Sequence, residues 1–506
     1  MSGIDGDHLA HNLETTMDKG GIGIKEGGPV LAAQQAPATR TIAQLPGPKG
    51  RPFMGSAREI NSNQFHRVLE DWGREFGTTY RFSIVRRKFM VTSDRDVITT
   101  MLRDRPDLIR RSSRLTQMLE EVGTKGLFTA EGDEWRRQRK LTMRALTPEV
   151  IHNFFPQLIV LTERLRLRWE QAIDAGRPVD VLRDLKAYTL DVTIGLAMGH
   201  DINTLEREDN PLQRDIEFLF NRVARRLTSP FAYWRVGLFK RAVDHEADAA
   251  AARIRKAIIG FIADTRQRME RQPALRQKPS NMLEALVAAR DEPNSGFNDD
   301  EVIGNAITMV FAGEDTTSNT AAWLIDFLVQ YPDAAAAMAV ETATLLGEAR
   351  VAPDHRLLDR MDYIDAATRE AMRLKPVAPM MGAETTRDTV IGGVAAPAGT
   401  VIFMLLRYSA ERTGEFAQPD QFQPERWLQA EHGGADDPAR KLFPFGGGPR
   451  FCPGRYLAMA EIKMLMSMLV RNFELERIPG AAPAEETFTF TMTPSALPVR
   501  LRKKSC

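Results

Sequence analysis

Ten residues near the C-terminus, Phe445-Gly-Gly-Gly-Pro-Arg-Phe-Cys-Pro-Gly454, constrain this chain more than any other segment. Three consecutive glycines and two prolines dictate a tight loop whose backbone N–H groups are free to point inward. Cys452 sits near its end, just before a helical pattern that starts around Arg455. A helix N-terminus, free N–H donors and Arg450 all favour a thiolate over a thiol. Cys506, the last residue, is the only other cysteine. A disulfide framework is excluded, and one thiolate with no second Cys or His nearby cannot build a tetrahedral zinc site.

A lone thiolate suits axial ligation of a haem iron, where it pushes electron density toward O–O cleavage. The same loop also fits two plainer readings, a phosphate cradle and an inert buried cysteine. The first of these lacks the Lys-Ser/Thr pair of a phosphate loop.

The composition, 43% hydrophobic and 27% charged, is that of a folded chain rather than a disordered or fibrous one. A net charge of +1 argues against a nucleic-acid partner, which demands a basic excess. Residues 1–44 are rich in glycine and small polar residues and read as a flexible tail, with His8 and His11 solvated. Asp5, Asp7, Glu14, Asp18 and Glu26 are unlike a secretory leader or transit peptide, so a cytoplasmic location is expected. The punctuated stretch from Leu45 to Pro52 marks the start of one domain, 45–506.

Within that domain, helical spacing recurs at 65–76, 94–103, 131–146, 149–174, 182–198, 211–226, 240–271, 281–290, 333–348, 362–374 and 455–472. Short strands fit within 79–92 and near 384–391, 400–405, 487–492 and 497–501, with Gly392-Gly393 as a turn. The longest apolar segment, 299–330, is capped by Asn298 with Glu301 and stopped by Pro332. Glu314 and Asp315 interrupt its middle. At about 2.5–3.5 kcal/mol for each acid in a bilayer, they make it a buried core helix and not a membrane anchor. The expected fold is mainly α with a small β part.

Four further motifs share the chain with the cysteine loop. They are Trp135-Arg-Arg-Gln-Arg139, Ala312-Gly-Glu-Asp-Thr-Thr317, Glu370-Ala-Met-Arg373 and Pro424-Glu-Arg-Trp427. Singly, each has a bland explanation. Glu370 and Arg373 could be an exposed pair contributing about 0.2–0.5 kcal/mol, and Thr316 could only back-bond to its own helix. In order, however, they match W-x-x-x-R, A/G-G-x-D/E-T-T, E-x-x-R and P-E-R-F/W. Phe445, Gly448, Arg450, Cys452 and Gly454 complete F-x-x-G-x-R-x-C-x-G. The whole set, from Trp135 to Gly454, resembles the cytochrome P-450 family.

The resemblance implies a single haem-thiolate monooxygenase fold, of a soluble, bacterial-like type without a fused reductase. It implies haem b with Cys452 as axial iron ligand, and dioxygen as co-substrate. Phe445 and Arg450 belong to the cofactor loop, while Trp135 and Arg139 are expected at a haem propionate. Ala312 and Thr316 lie four apart on one helical face, over the distal side, where Asp315 and Thr316 would assist proton delivery. Glu314 is expected on the opposite side, facing water or another helix. Glu370, Arg373 and Arg426 would form a buried triad with a structural role. Two departures stand out. The stretch from Met380 to Thr386 lacks the expected basic residue, leaving Arg387 nearest, and only Arg407 and Arg412 stand ahead of Pro424.

The implied reaction uses dioxygen and two electrons to hydroxylate or epoxidise a hydrophobic substrate held among Leu115, Met118, Leu119, Phe128, Ala312, Val377, Met380 and Met381. A fatty acid is the first candidate. The run Gly126-Leu-Phe-Thr-Ala130 resembles fatty-acid-hydroxylating members, and Arg110, Arg111 and Arg114 are either solvated or a carboxylate anchor. The alternatives are a peroxide-driven or isomerising haem-thiolate enzyme, and a non-catalytic haem sensor or carrier. The acid–alcohol pair argues against both. No flavin- or nicotinamide-binding region is left over, so a separate ferredoxin or flavodoxin/flavoprotein reductase is expected to donate electrons. The strip Arg136, Lys140 and Arg144, with Arg137 alongside, is either a solvated face or that donor's docking patch.

Overall fold

The computed structural model describes residues 40–504 except 106, 208–209, 230–231, 294, 413, 415 and 430–436. The tail expectation for residues 1–39, with His8 and His11, lies outside the described residues, as does Cys506. Arg40–Thr41, expected within that tail, instead forms a short parallel pairing with Val394 and Ala395.

Helices that line the site include α1 (Gly132–Ala145), α2 (Val181–Met198), α3 (Pro211–Thr228), α4 (Asp299–Gln330), α5 (Asp362–Leu374) and α6 (Arg455–Asn472). Helix α4 begins as its sequence demands. The Asn298 side chain accepts the Glu301 N–H at 2.9 Å, and the Glu301 carboxylate accepts the Asn298 N–H at 3.0 Å. Apolar residues on every side of α4 require burial all round. It satisfies that by serving two cores at once. Leu324 and Ile325 join Trp169, Leu465 and Met468, while Val302 and Ile307 join Leu219 and Ile258.

The β part is a five-stranded sheet made of β1 (Thr79–Ile84), β2 (Arg87–Thr92), β3 (Ile109–Arg111), β4 (Met380–Thr385) and β5 (Val401–Leu405). Its order is β1-β2-β5-β4-β3. All its pairings are antiparallel except β2 with β5. Helix boundaries follow the periodicity closely, with α4 and α6 matching their expected ends. Two strand expectations split on turn chemistry. Residues 384–391 divide between β4 and a separate strand, Thr389–Ile391. Residues 487–492 become a hairpin of β6 (Glu486–Phe488) and β7 (Met492–Pro494), closed where Thr489 N–H meets the Thr491 carbonyl at 2.9 Å. Helix Ser113–Glu121 and strand β3 were not expected. They are short segments whose order comes from packing rather than from periodicity.

Helix α5 anchors the chain on its way to the cysteine loop. Glu370, fully buried, accepts Arg373 at 2.9 Å on both oxygens, Arg426 at 2.9 Å and the Trp427 indole at 2.8 Å. Arg373 also ties down the Pro419 and Gln421 carbonyls. This is the buried triad of the motif and not an exposed pair.

Candidate functional site

The cysteine loop is pressed into place by its glycines. Gly448 has φ 64°, and a Cβ there would lie 2.1 Å from the Leu102 carbonyl oxygen, so no side chain fits. The Phe445 carbonyl accepts the Cys452 N–H at 2.8 Å. Burial pushes the Cys452 thiol up, and the Gly454 N–H, Arg139 and Arg455 pull it back. Arg450 is not among these cations, contrary to the sequence expectation. It donates to the Ala130 carbonyl at 2.6 Å and to Glu131, and its guanidinium lies 4.7 Å over the Trp135 ring. Arg139, one turn beyond Trp135 on α1, takes that place because it reaches the Phe451 carbonyl at 2.7 Å.

Cys452 opens onto a cavity of about 900 Å³ that Phe445, Trp135, Arg139, Arg450, Ala312 and Thr316 also line. Four arginines crowd one part of its wall: Arg105, Arg111, Arg139 and Arg450. Glu131 is the acid beside them. It accepts the Arg111 N–H at 3.1 Å and pairs with Arg450. Burial, with Arg105 and Arg139 opposing Glu131, pushes Arg450 down to about 10. Burial and the charges of Arg105 and Arg450 push Arg111 down as well. The Nε atoms of Arg105 and Arg450 are buried with no hydrogen-bond partner among the described residues. Such a cluster calls for anions.

Arg105 carried no signal in the sequence. It fills the gap left by the motif departures, because Arg387 is exposed and outside the cavity lining. Arg407 is engaged elsewhere, with Glu70 at 2.6 Å and Glu486 at 2.8 Å.

On the α4 side, Ala312, Gly313 and Thr316 line the cavity. The Thr316 hydroxyl donates to the Ala312 carbonyl at 2.7 Å, the back-bond expected as its bland reading. Asp315 does not line the cavity. Its buried carboxyl accepts the Thr491 hydroxyl and, at 3.0 Å, the Asn319 amide. Burial pushes it up, against Thr491, Lys186 and Asn319. Thr491 does line the cavity and so joins Asp315 to it. Neither Thr491 nor Asn319 carried a sequence signal. Glu314 is fully buried, and its backbone carbonyl accepts the Thr189 hydroxyl of α2, so it lies against a helix and not in water. Leu115, Leu119, Phe128, Val377, Met380 and Met381 line the cavity as expected, whereas Met118 is turned into the core.

The family model for cytochrome P-450 matches residues 45–500. The chain belongs to the cytochrome P-450 family. It is 25% identical to the rabbit (Oryctolagus cuniculus) cytochrome P-450 3A6, over 85% of this chain and 86% of that one. It is 26% identical to the chloroplastic cytochrome P-450 97B2 of Glycine max, over 89% and 85%. It is also 26% identical to the bifunctional cytochrome P-450/NADPH–P-450 reductase ascE of Acremonium egyptiacum, covering 85% of this chain but 40% of that fusion. The chain is therefore an oxygen-incorporating oxidoreductase, with haem held by a cysteine thiolate and dioxygen as co-substrate. The site fits that cofactor. Cys452 offers the thiolate, and the under-neutralised arginines answer a flat group bearing two carboxylates. Among the described residues, no helix is long and apolar enough to cross a membrane.

Proposed function

We propose that this monooxygenase hydroxylates or epoxidises a long-chain fatty acid, using electrons from a separate ferredoxin or flavoprotein. The observation that carries the substrate class is a contrast within the wall of the cavity. Its lining is apolar where it is buried, at Leu119, Leu219 and Phe220, and carries the exposed Arg86 and Arg87 and the half-buried Arg114. The expected cluster of three arginines is divided. Arg110 pairs with Glu384 at 2.6 Å, and Arg111 stacks 3.4 Å over the Phe128 ring. Arg114 donates through one Nη to the Arg226 and Ser229 carbonyls, but its Nε is buried with no hydrogen-bond partner among the described residues, and burial and Arg87 push it down, so it is the arginine of the three that lacks an acid. An anionic head group would satisfy both Arg87 and Arg114 while the chain fills the apolar part.

The test is a binding titration by visible spectral shift, comparing a fatty acid with the matching alcohol. The acid is expected to bind more tightly, and Arg87→Leu with Arg114→Gln should cost it about tenfold, the loss of one charge-assisted hydrogen bond. Equal affinity of acid and alcohol in the unaltered protein would remove the assignment.

Bound haem supplies the iron at which dioxygen is reduced and its bond cleaved, the thiolate favouring that cleavage. The chain's own part is binding and proton supply. In this reading Arg105, Arg139, Arg450 and Trp135 hold the haem carboxylates and orient the ring. Asp315 holds a proton away from the cavity, and the Thr491 hydroxyl passes one inward. Thr316 orients water above Ala312 and Gly313. Replacing Thr316 by Ala is expected to keep the haem spectrum while most reducing equivalents emerge as peroxide. Product and peroxide measured per electron consumed check this, and full coupling in the variant would contradict it.

The donor's docking patch is narrower than the sequence suggested. Arg136 is balanced by Asp107 and Asp133, both at 2.7 Å, and Arg137 pairs with Glu301. Lys140 and Arg144, four apart on α1 and exposed, are the cations that support an acidic partner. Reversing both charges should slow reduction by the donor, most at low salt, because exposed charges are screened within about 8–10 Å at physiological ionic strength. Stopped-flow reduction rates that are unchanged by the double reversal would remove the patch.

A further inference from the structure

Glu314, the neighbour of Asp315, serves none of the roles above. It is 0% exposed, and neither carboxyl oxygen has a hydrogen-bond partner among the described residues. A buried acid is costly unless it is paired or used, and an apolar residue of similar volume would have avoided the cost. Burial and Asp315 push Glu314 well above the ordinary carboxylate range, against Lys186. A neutral acid is a proton donor.

Its surroundings give it two ends. On the cavity side stands Thr193 of α2, which lines the cavity and whose Oγ1 is also buried without a partner. Thr193 lies so close to α4 that a Cβ on Gly313 would come within 2.2 Å of that oxygen, so glycine is required for the approach. Thr189 holds the register, its hydroxyl donating to the Glu314 carbonyl at 2.9 Å. At the other end is Lys186, half-buried, whose charge acts on both Glu314 and Asp315. Glu217 of α3, also half-buried, faces the same group. Lys186, Thr189 and Thr193 occupy positions i, i+3 and i+7, one stripe of α2 running from the outer edge to the cavity wall. Beside it, the two carboxyl oxygens of Glu314 and the Thr193 Oγ1 are buried with no hydrogen-bond partner among the described residues, and buried polar groups left so are ordinarily paired by ordered water.

We propose that the α2–α4 seam is a second proton route into the cavity, with Glu314 as its relay residue, separate from Asp315 and Thr491. The Glu314 O–H gives its proton to a seam water, which passes one of its own to the Thr193 hydroxyl. Thr193 in turn releases its hydroxyl proton to the cavity. The carboxylate left on Glu314 regains a proton from solvent by way of the Lys186 ammonium. Atoms and charge balance at each transfer, and no oxidant or reductant enters. The proposal rests on the family's use of dioxygen and protons, not on the fatty-acid assignment or on the role of Thr316.

The experiment uses the haem-loaded full chain and has two readouts. Infrared difference spectra, unaltered protein minus Glu314→Gln, are expected in H₂O and D₂O to show a protonated-carboxyl C=O band that shifts in D₂O, the bands of the buried Asp315 and Glu461 being common to both and cancelling. Absence of that band from the difference spectrum overturns the proposal without reference to turnover. Product formation is then timed in both solvents. Glu314→Gln and Thr193→Val are each expected to slow it by about tenfold, the low side of what positioned proton transfer contributes, and to enlarge the solvent isotope effect. Thr193→Val should leave the infrared band in place, because it removes only the inner hydroxyl. Rates and isotope effects equal to the unaltered protein's in both variants overturn the route. If Glu314→Gln fails to fold, Thr193→Val decides alone by the same criterion.

Discussion

Replacing Cys452 by Ala is expected to abolish turnover while leaving the chain folded. The loop does not depend on the sulfur for its shape. The Phe445 carbonyl holds the backbone of residue 452 at 2.8 Å, and Gly448 seats the loop against Leu102. What the substitution removes is the axial ligand alone and, with it, the electron push that favours O–O cleavage. The check is the visible spectrum of the reduced protein under carbon monoxide. The unaltered protein should show the strongly red-shifted Soret band of a thiolate opposite the gas. Cys452→Ala should lose it, and Cys452→His should move it to the shorter wavelength of a neutral ligand. A red-shifted band that survives either change would mean that the thiolate is not Cys452.

Removing Glu370 should do the converse and break the fold more than the chemistry. Five donors converge on its carboxylate: two from Arg373, and one each from Arg426, the Trp427 indole and the Gln423 N–H. Arg373 is 2% exposed, so deleting its partner leaves a cation buried and unpaired. Breaking a buried ion pair from one side typically costs about 3–5 kcal/mol, several times the figure for an exposed helix pair. Glu370→Ala is therefore expected to lower the denaturation midpoint sharply and to shed haem, with Glu370→Gln in between. A midpoint within about 0.5 kcal/mol of the unaltered protein would restore the exposed-pair reading.

How much of this was legible differs by kind of signal. Helix ends were read well where a cap or a proline marks them, as at Asn298 and Pro332, because those interactions span only three or four residues. The cysteine loop and the E-x-x-R element were legible because loop conformation and motif order are properties of the chain itself. The strands fared less well. Short segments such as β3 and the β6–β7 hairpin gain their order from neighbours distant in sequence, which no local pattern records.

The site divides along the same line. That Cys452 is the one cysteine in a glycine-rich loop, that α4 is a buried helix carrying two acids, and that Ala312 and Thr316 share one face were determined by sequence alone, since each follows from residue type and helical period. What each side chain meets was decided only by the tertiary structure. Arg450 turned out to serve Glu131 and Trp135, while Arg139 serves the cysteine loop. Arg105 joined the cation cluster without any sequence motif to mark it. Of two adjacent acids, Asp315 found Thr491 and Asn319, and the Glu314 carboxyl found no hydrogen-bond partner among the described residues. The physical reason is that charge is felt through space. Burial and the nearest opposite charge set the role of an ionisable group, and both depend on elements hundreds of residues apart.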